Sequence, residues 1–331
     1  MGYLVAAYLV LRLVPTLEEA LHSLEHVSWE WLVGAIALEG VSEIGFVVSW
    51  RGVVDPERML DADGRGRRMD QRVAWTQLGA GLLVPGGTLG GMGVGAWFLH
   101  RFGMPPKQIA ERQFNLSFLN TAVSALALVV FGIGLTIGIF PGEDNLLLTL
   151  LPAAVGVIGI TIALLIDRRA SNYAERLRAK HPKIATSIAT LADAVADTRT
   201  LFHRGGWTSV AGAVTYLGFE VLVLWSAFLA IHADPVPGFA VVVMAYVIGA
   251  LGGSLPLPAS IGTIGGIAGM LIVYGVDHNP AVAAVLLHQA IGLIVPLTGG
   301  AIAYVMLRRQ LGPIKIGADE SSAVSTTSPP S

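Results

Sequence analysis

Glu39 and Glu43 stand four residues apart within the predominantly apolar stretch 29–50, and Glu220 stands in another, 207–231. A spacing of four puts the first two carboxylates on one face of a helix. A charged group at the centre of a membrane helix costs roughly 2.5–3.5 kcal/mol on insertion scales, so such groups turn toward the protein interior or water. Carboxylates held close together there can take up protons or bind a cationic group. Single acids satisfied by backbone or by neighbours such as Ser42 are the alternative. His288 and Gln289, with Gln113, Asn115 and Asn120, read as hydrogen-bonding groups between helices.

A second chemistry comes from two interruptions. LLVPGGTLGGMGVG at 82–95 and SLPLPASIGTIGGIAG at 254–269 each halt an apolar run with proline and glycine and restart it at once. At membrane depth the amides freed by a break must find partners or face a polar cavity. A helix restarting near Gly90 or Gly262 aims free N–H groups and the positive end of its dipole at that cavity. With the hydroxyls of Thr88, Ser260 and Thr263 this suits an anion, and a phosphate headgroup is the ligand to expect. The competing reading is close helix packing through small residues, as at Gly91/Gly95, Gly249/Gly253 and Gly265/Gly269.

The two interruptions are related. A shift of 172 positions carries Gly90 onto Gly262, Gly93 onto Gly265, Ala96 onto Ala268, Phe102 onto Tyr274 and Gly103 onto Gly275. One further position superimposes Gly45-Phe46 on Gly218-Phe219. Matches in this order argue for an internal duplication.

The elements that must position these groups follow from composition. Of 331 residues 53% are hydrophobic and 13% charged. A soluble domain carries about 25% charged residues, so the chain is expected to be a multi-pass membrane protein. Runs long enough to cross lie near 1–17, 29–50, 108–140, 146–166, 207–231 and 281–307, with the interrupted runs at 73–102 and 239–276. Every Lys and Arg except Arg12 falls in 51–72, 101–112, 167–204 or the tail from 308, and the other connections have none. Positive-inside bias puts the first group, and both termini, in the cytoplasm. The first interrupted run then enters and leaves from inside, the second from outside. The linker 167–204 carries eight basic and four acidic residues, with Ile184, Ile188, Leu191, Val195 and Phe202 at helical spacing. It reads as an amphipathic helix on the cytoplasmic leaflet.

The expected fold is an all-α integral membrane protein: an inverted repeat with two re-entrant helical hairpins and about six full crossings, or alternatively eight short crossings. The first repeat with its cytoplasmic hairpin occupies 1–140. The second, with the linker and an external hairpin, occupies 141–312, and 313–331 is a disordered tail. High alanine, glycine and arginine suggest a bacterial cytoplasmic membrane.

An enzyme is not expected. The glycine-rich run lacks the Gly-Lys-Ser/Thr ending of a nucleotide phosphate loop, the histidines lack paired zinc spacing, and no nucleophile, base and orienting acid occur together. No cysteine is present, and neither a metal nor a cofactor is expected. The basic groups follow membrane orientation, so nucleic acid is not a partner.

Pro85-Gly86-Gly87 with its glycine-rich helix, then Arg101-Phe102-Gly103, resembles the first half of the lysylphosphatidylglycerol synthase transmembrane region. Residues Leu255–Arg309 resemble its C-terminal signature. That signature usually reads Pro-Gly-Gly-Leu-Gly-Val-x-Glu; here Pro258-Ala259-Ser260-Ile261-Gly262-Thr263-Ile264-Gly265 lacks the closing acid, and His288 stands near the position of the usual arginine. The resemblance implies a lipid flippase. In the multiple peptide resistance factor this region carries aminoacylated phosphatidylglycerol to the outer leaflet. A membrane phospholipid is the expected ligand, with Thr88, Gly90, Ser260, Gly262, Thr263, Glu39, Glu43, Glu220 and His288 as the binding set. Two other readings stay open: a transporter of a small solute, and a non-transporting partner of a membrane-associated lipid- or glycan-modifying enzyme.

Overall fold

The computed structural model describes residues 27–62, 68–83, 87–142, 145–165, 206–251 and 261–311. Every regular element among them is a helix, as hydrocarbon demands of a chain that must close its backbone hydrogen bonds internally. In order these are α1 (Trp29–Val54), the single turn α2 (Met59–Ala62), α3 (Met69–Leu83), α4 (Thr88–Arg101), α5 (Pro106–Thr136), α6 (Leu146–Leu165), α7 (Trp207–Ala230), α8 (Phe239–Ala250), α9 (Ile261–Val273) and α10 (His278–Leu311). Helices α1, α5, α7 and α10 are long and apolar enough to cross a membrane, and α6 is a shorter apolar helix. The protein is therefore an all-α, multi-pass membrane protein. The expected crossing at 1–17, the amphipathic linker 167–204 and the tail lie outside the described residues.

The interrupted runs do form broken helices. Helices α3, α4, α8 and α9 have 15, 14, 12 and 13 residues. At a rise of 1.5 Å per residue they are about 18–23 Å long, short of the ~30 Å hydrocarbon core. Each pair folds back on itself. A Cβ on Gly91 would sit 2.9 Å from the Gly81 backbone, and Gly95 abuts the side chain of Gln77; Gly249 meets Gly266 and Ile267 in the same way. Moving along the chain by 172 positions turns Gln77 facing Gly95 into Gly249 facing Ile267, so large and small partners exchange sides of the same contact.

The exit from each hairpin is the same structure twice. At the end of α4, Phe102 N–H donates to Phe98 O, Gly103 N–H to His100 O and Met104 N–H to Leu99 O; at the end of α9, Tyr274, Gly275 and Val276 donate to Met270, Ile272 and Leu271. The 172-residue shift maps every donor and acceptor of the first set onto the second. Gly103 and Gly275, at φ 95° and 84°, supply the left-handed residue that this helix stop requires. The same shift carries 106–136 onto 278–308, against the observed α10. Helix α5 begins on Pro105-Pro106, with proline where no amide partner is needed.

The halves interlock. Helices α1 and α7 run against each other along most of their length, α3 packs on α10, and α8 packs on α5. Thus the first helix of each hairpin leans on the long last helix of the other half. Where α1 meets α7, a Cβ on Gly45 would lie 2.8 Å from Gly212 O and one on Gly212 would lie 2.7 Å from Gly45 O. Only glycine on both sides permits this approach.

The connections sort by charge. Arg51, Arg58, Lys107 and Arg112 gather with Gly206 and Thr208 around a cavity of about 980 Å³. Gly142, Asp234, Gly275 and Asp277 gather around a smaller one of about 210 Å³ that has no basic residue among its described lining. The basic and non-basic connections distinguished by sequence thus lie at different ends of the bundle.

Candidate functional site

The antiparallel α1–α7 crossing decides where the acids go. From the Gly45–Gly212 contact, Glu43 and Glu39 lie back along α1 while Glu220 lies forward along α7, so the three converge. Ser42 Oγ donates to the carbonyl of Tyr216 at 2.9 Å and pins this register. One carboxylate oxygen from each of Glu39, Glu43 and Glu220 falls within 4.8 Å of the others. Their residues are 1%, 3% and 8% exposed.

Two further helices close on this cluster. From α8, the Tyr246 hydroxyl donates to Glu220 Oε2 at 3.3 Å. From α10, His288 Nε2 lies 3.1 Å from the same oxygen, and its ring meets that of Tyr246 edge-on at 5.7 Å. Glu39 Oε2, Glu43 Oε2 and His288 Nδ1 are buried and have no hydrogen-bond partner among the described residues. The alternative reading, in which Ser42 satisfies a glutamate, finds no support here, because its hydroxyl donates to the Tyr216 carbonyl.

The cluster forms the inner wall of a chamber of about 240 Å³. Its other walls are Gln77 and Gly81 of α3, Thr88 and Met92 of α4, Gln113, Ser117 and Asn120 of α5, and Gly292 and Pro296 of α10. Gln77 and Gln113 exchange side-chain hydrogen bonds of 2.8 and 3.2 Å, and Trp50 Nε1 donates to Gln77 Oε1 at 3.0 Å. Leu82, Thr88, Ser117 and Leu293 at the rim are exposed. The chamber therefore joins buried acids to the apolar flank of the bundle beside the tip of the first hairpin.

Of the nine residues expected to bind, Glu39, Glu43, Glu220, His288 and Thr88 line this one chamber. Gly90 sits two positions into α4 from Thr88 and is half-buried, away from the lining; Gly262 and Thr263, in the first turn of α9, are also half-buried and do not reach it. Ser260 lies outside the described residues. Helix α4 restarts at Thr88, two residues before the expected Gly90, and its N-cap Gly87 has φ 57° and no side-chain cap. The Gly91 amide bonds to Gly87 O at 3.0 Å, which leaves the amides before it without intrahelical carbonyl partners.

Tyr216, Tyr246, Trp50 and Gln77 were not singled out by sequence. An aromatic hydroxyl in an apolar helix reads as interfacial, and a lone glutamine as helix-packing glue. The usable signal for Gln77 was its place in a helix too short to span, about two turns before the break. Gln113 and Asn120, expected only to join helices, also face the chamber.

Residues 1–300 match the family model described as the lysylphosphatidylglycerol synthase TM region. No curated protein matches the chain.

Proposed function

The chain belongs to the lysylphosphatidylglycerol synthase TM region family, and from that premise we propose that it moves a lipid headgroup between leaflets through the carboxylate-lined chamber. The observation that carries this reading is the chamber's shape: polar inside, bounded by long apolar helices, and edged by exposed Leu82 and Leu293. A volume of about 240 Å³ holds about eight waters at ~30 Å³ each. That suits a headgroup and excludes acyl chains, which stay in the bilayer.

The headgroup phosphate meets Thr88 and the uncapped start of α4, where amides and dipole favour an anion. Glu39, Glu43, Glu220 and His288 form the far wall and exchange protons or cations as the headgroup passes. The protein acts as a carrier and makes no covalent change to the lipid. The phospholipid is its partner, and a membrane-bound enzyme that makes or uses the modified lipid is a natural neighbour.

The test is reconstitution in liposomes with a phospholipid fluorescently labelled on its headgroup, quenched from outside. Protein-containing vesicles should lose the protected signal faster than protein-free ones. Gly81 and Gly292 face the chamber, and a Cβ at either comes no closer than 3.6 Å to any neighbour, so a side chain can start at both positions and Gly81→Leu and Gly292→Leu reduce the space. Each should slow the loss at least about tenfold, a barrier increase of ~1.4 kcal/mol. Rates unchanged by both substitutions would remove the chamber from the path.

A further inference from the structure

We propose that Glu39, Glu43, Glu220 and His288 form a binding site for one divalent transition-metal cation of the Mn²⁺, Fe²⁺ or Zn²⁺ type. The first ground is charge. Three carboxylates share a wall whose described lining contains no Lys or Arg, and carboxylates buried together either take up protons or pair with a cation. His288 is the one base among them. A dication with one carboxyl protonated and neutral imidazole leaves the site uncharged.

The second ground is geometry. Metal–oxygen and metal–nitrogen bonds of about 2.0–2.2 Å place adjacent donors about 3.0–3.5 Å apart. His288 Nε2 and Glu220 Oε2 lie at 3.1 Å, a hydrogen-bond distance that also falls within the spacing of two ligands on one ion. The three carboxylate oxygens, within 4.8 Å of one another, close on a single ion by shortening their mutual separations by up to about 1.3–1.8 Å. Glutamate has the side-chain freedom to do so.

His288 is the independent sign. It lies on a different helix from all three acids, is 4% exposed, and keeps Nδ1 without a partner. A buried imidazole with one nitrogen beside a carboxylate and the other without a partner is poised to ligate. Tyr246, donating to Glu220 Oε2, orients that carboxylate from outside the ligand set. The donor set selects the metal: carboxylates with one imidazole suit Mn²⁺, Fe²⁺ and Zn²⁺, whereas Mg²⁺ and Ca²⁺ favour oxygen alone.

A cation here also changes the field in the chamber, since a bound dication draws a phosphate inward that bare carboxylates repel. That consequence rests on the lipid reading; the site does not. The purified protein in detergent is titrated with Mn²⁺ and the paramagnetic resonance of free Mn²⁺ is followed. The signal should fall until one Mn²⁺ is bound per chain, recover on adding Zn²⁺, and stay suppressed on adding Mg²⁺. The combined Glu39→Gln and Glu43→Gln variant, and His288→Gln separately, should each weaken binding at least about tenfold, while Glu57→Gln, at the basic end, should not. The melting temperature of the unaltered protein should rise with Mn²⁺, a readout independent of whether any variant folds. Absence of saturable binding by the unaltered protein, or binding unchanged in both variants, overturns the site. Metal binding without lipid movement overturns only the lipid reading; lipid movement without metal binding overturns only this one.

Discussion

Asp55 shows how one buried carboxyl shapes behaviour outside the membrane-spanning segments. It follows the last turn of α1, where its oxygens accept the Met59 and Leu60 amides at 2.9 and 3.1 Å. Burial pushes its carboxyl above the ordinary carboxylate range, against the opposing pull of those amides. A folded-state value above the unfolded one makes its stabilising contribution complete below the unfolded value and lost as pH rises through the folded value. Asp55→Asn keeps an acceptor and cannot ionise, so its melting temperature relative to the unaltered chain should climb as pH rises above about 4, the ordinary carboxylate value. A flat or falling difference would contradict this. Deeper in the bundle, Gln77→Leu strips Trp50 Nε1 and Gln113 Nε2 of their shared acceptor. At about 1–3 kcal/mol per unsatisfied buried group, thermal unfolding should show a loss of roughly 2–6 kcal/mol. Charges in apolar runs were legible as site residues because their cost leaves few explanations; neutral Gln77 and Tyr246 were not, because one hydrogen bond to a neighbouring helix accounts for them equally well.

Helix contacts are decided by glycines that look alike in sequence. Gly249 is locked: an added Cβ would come within 2.6 Å of the Gly266 carbonyl carbon, with Ile267 backbone closer still. Gly249→Ala should therefore cost about 1–3 kcal/mol by overpacking, visible as a lower melting temperature and reduced yield. Gly93 and Gly265, related by the 172-residue shift, meet nothing within 4 Å. Alanine at either should be neutral or raise stability by up to about 1 kcal/mol through helix propensity. Equal responses at Gly249 and Gly265 would contradict the packing described. Of the expected small-residue contacts, Gly91, Gly95 and Gly249 make close approaches while Gly265 and Gly269 do not. Spacing alone puts two glycines on one face; it does not say whether another helix passes over that face.

Across the whole molecule, the division of basic and non-basic connections between the two ends supports placing the end with Arg51, Arg58, Lys107 and Arg112 in the cytoplasm. The chain has no native cysteine, so single cysteines report cleanly. Lys107→Cys and His278→Cys, at exposed positions on opposite ends, should react with a membrane-impermeant thiol reagent from opposite sides. In intact cells only His278→Cys should label, and in inside-out vesicles only Lys107→Cys. Labelling of both from one side would break the proposed topology. The duplication belongs to this scale too, since the 172-residue shift reproduces both the hairpin exits and the packing of each hairpin on the opposite long helix.

By itself the sequence determined that the chain lives in a membrane, where its helices break, that the halves repeat, and which acids have to be accounted for. Those properties are local: they depend on runs of apolar residues, on proline and glycine, and on charges that hydrocarbon penalises. Only the tertiary structure decided that Glu39 and Glu43 meet Glu220 and His288, and that Thr88 of the first hairpin faces them while Gly262 and Thr263 of the second do not. Convergence depends on the register of one helix against another, set by backbone-to-backbone contacts such as Gly45 on Gly212. Such contacts join residues far apart in the chain and are summed from many small packing energies, so no window of sequence contains them.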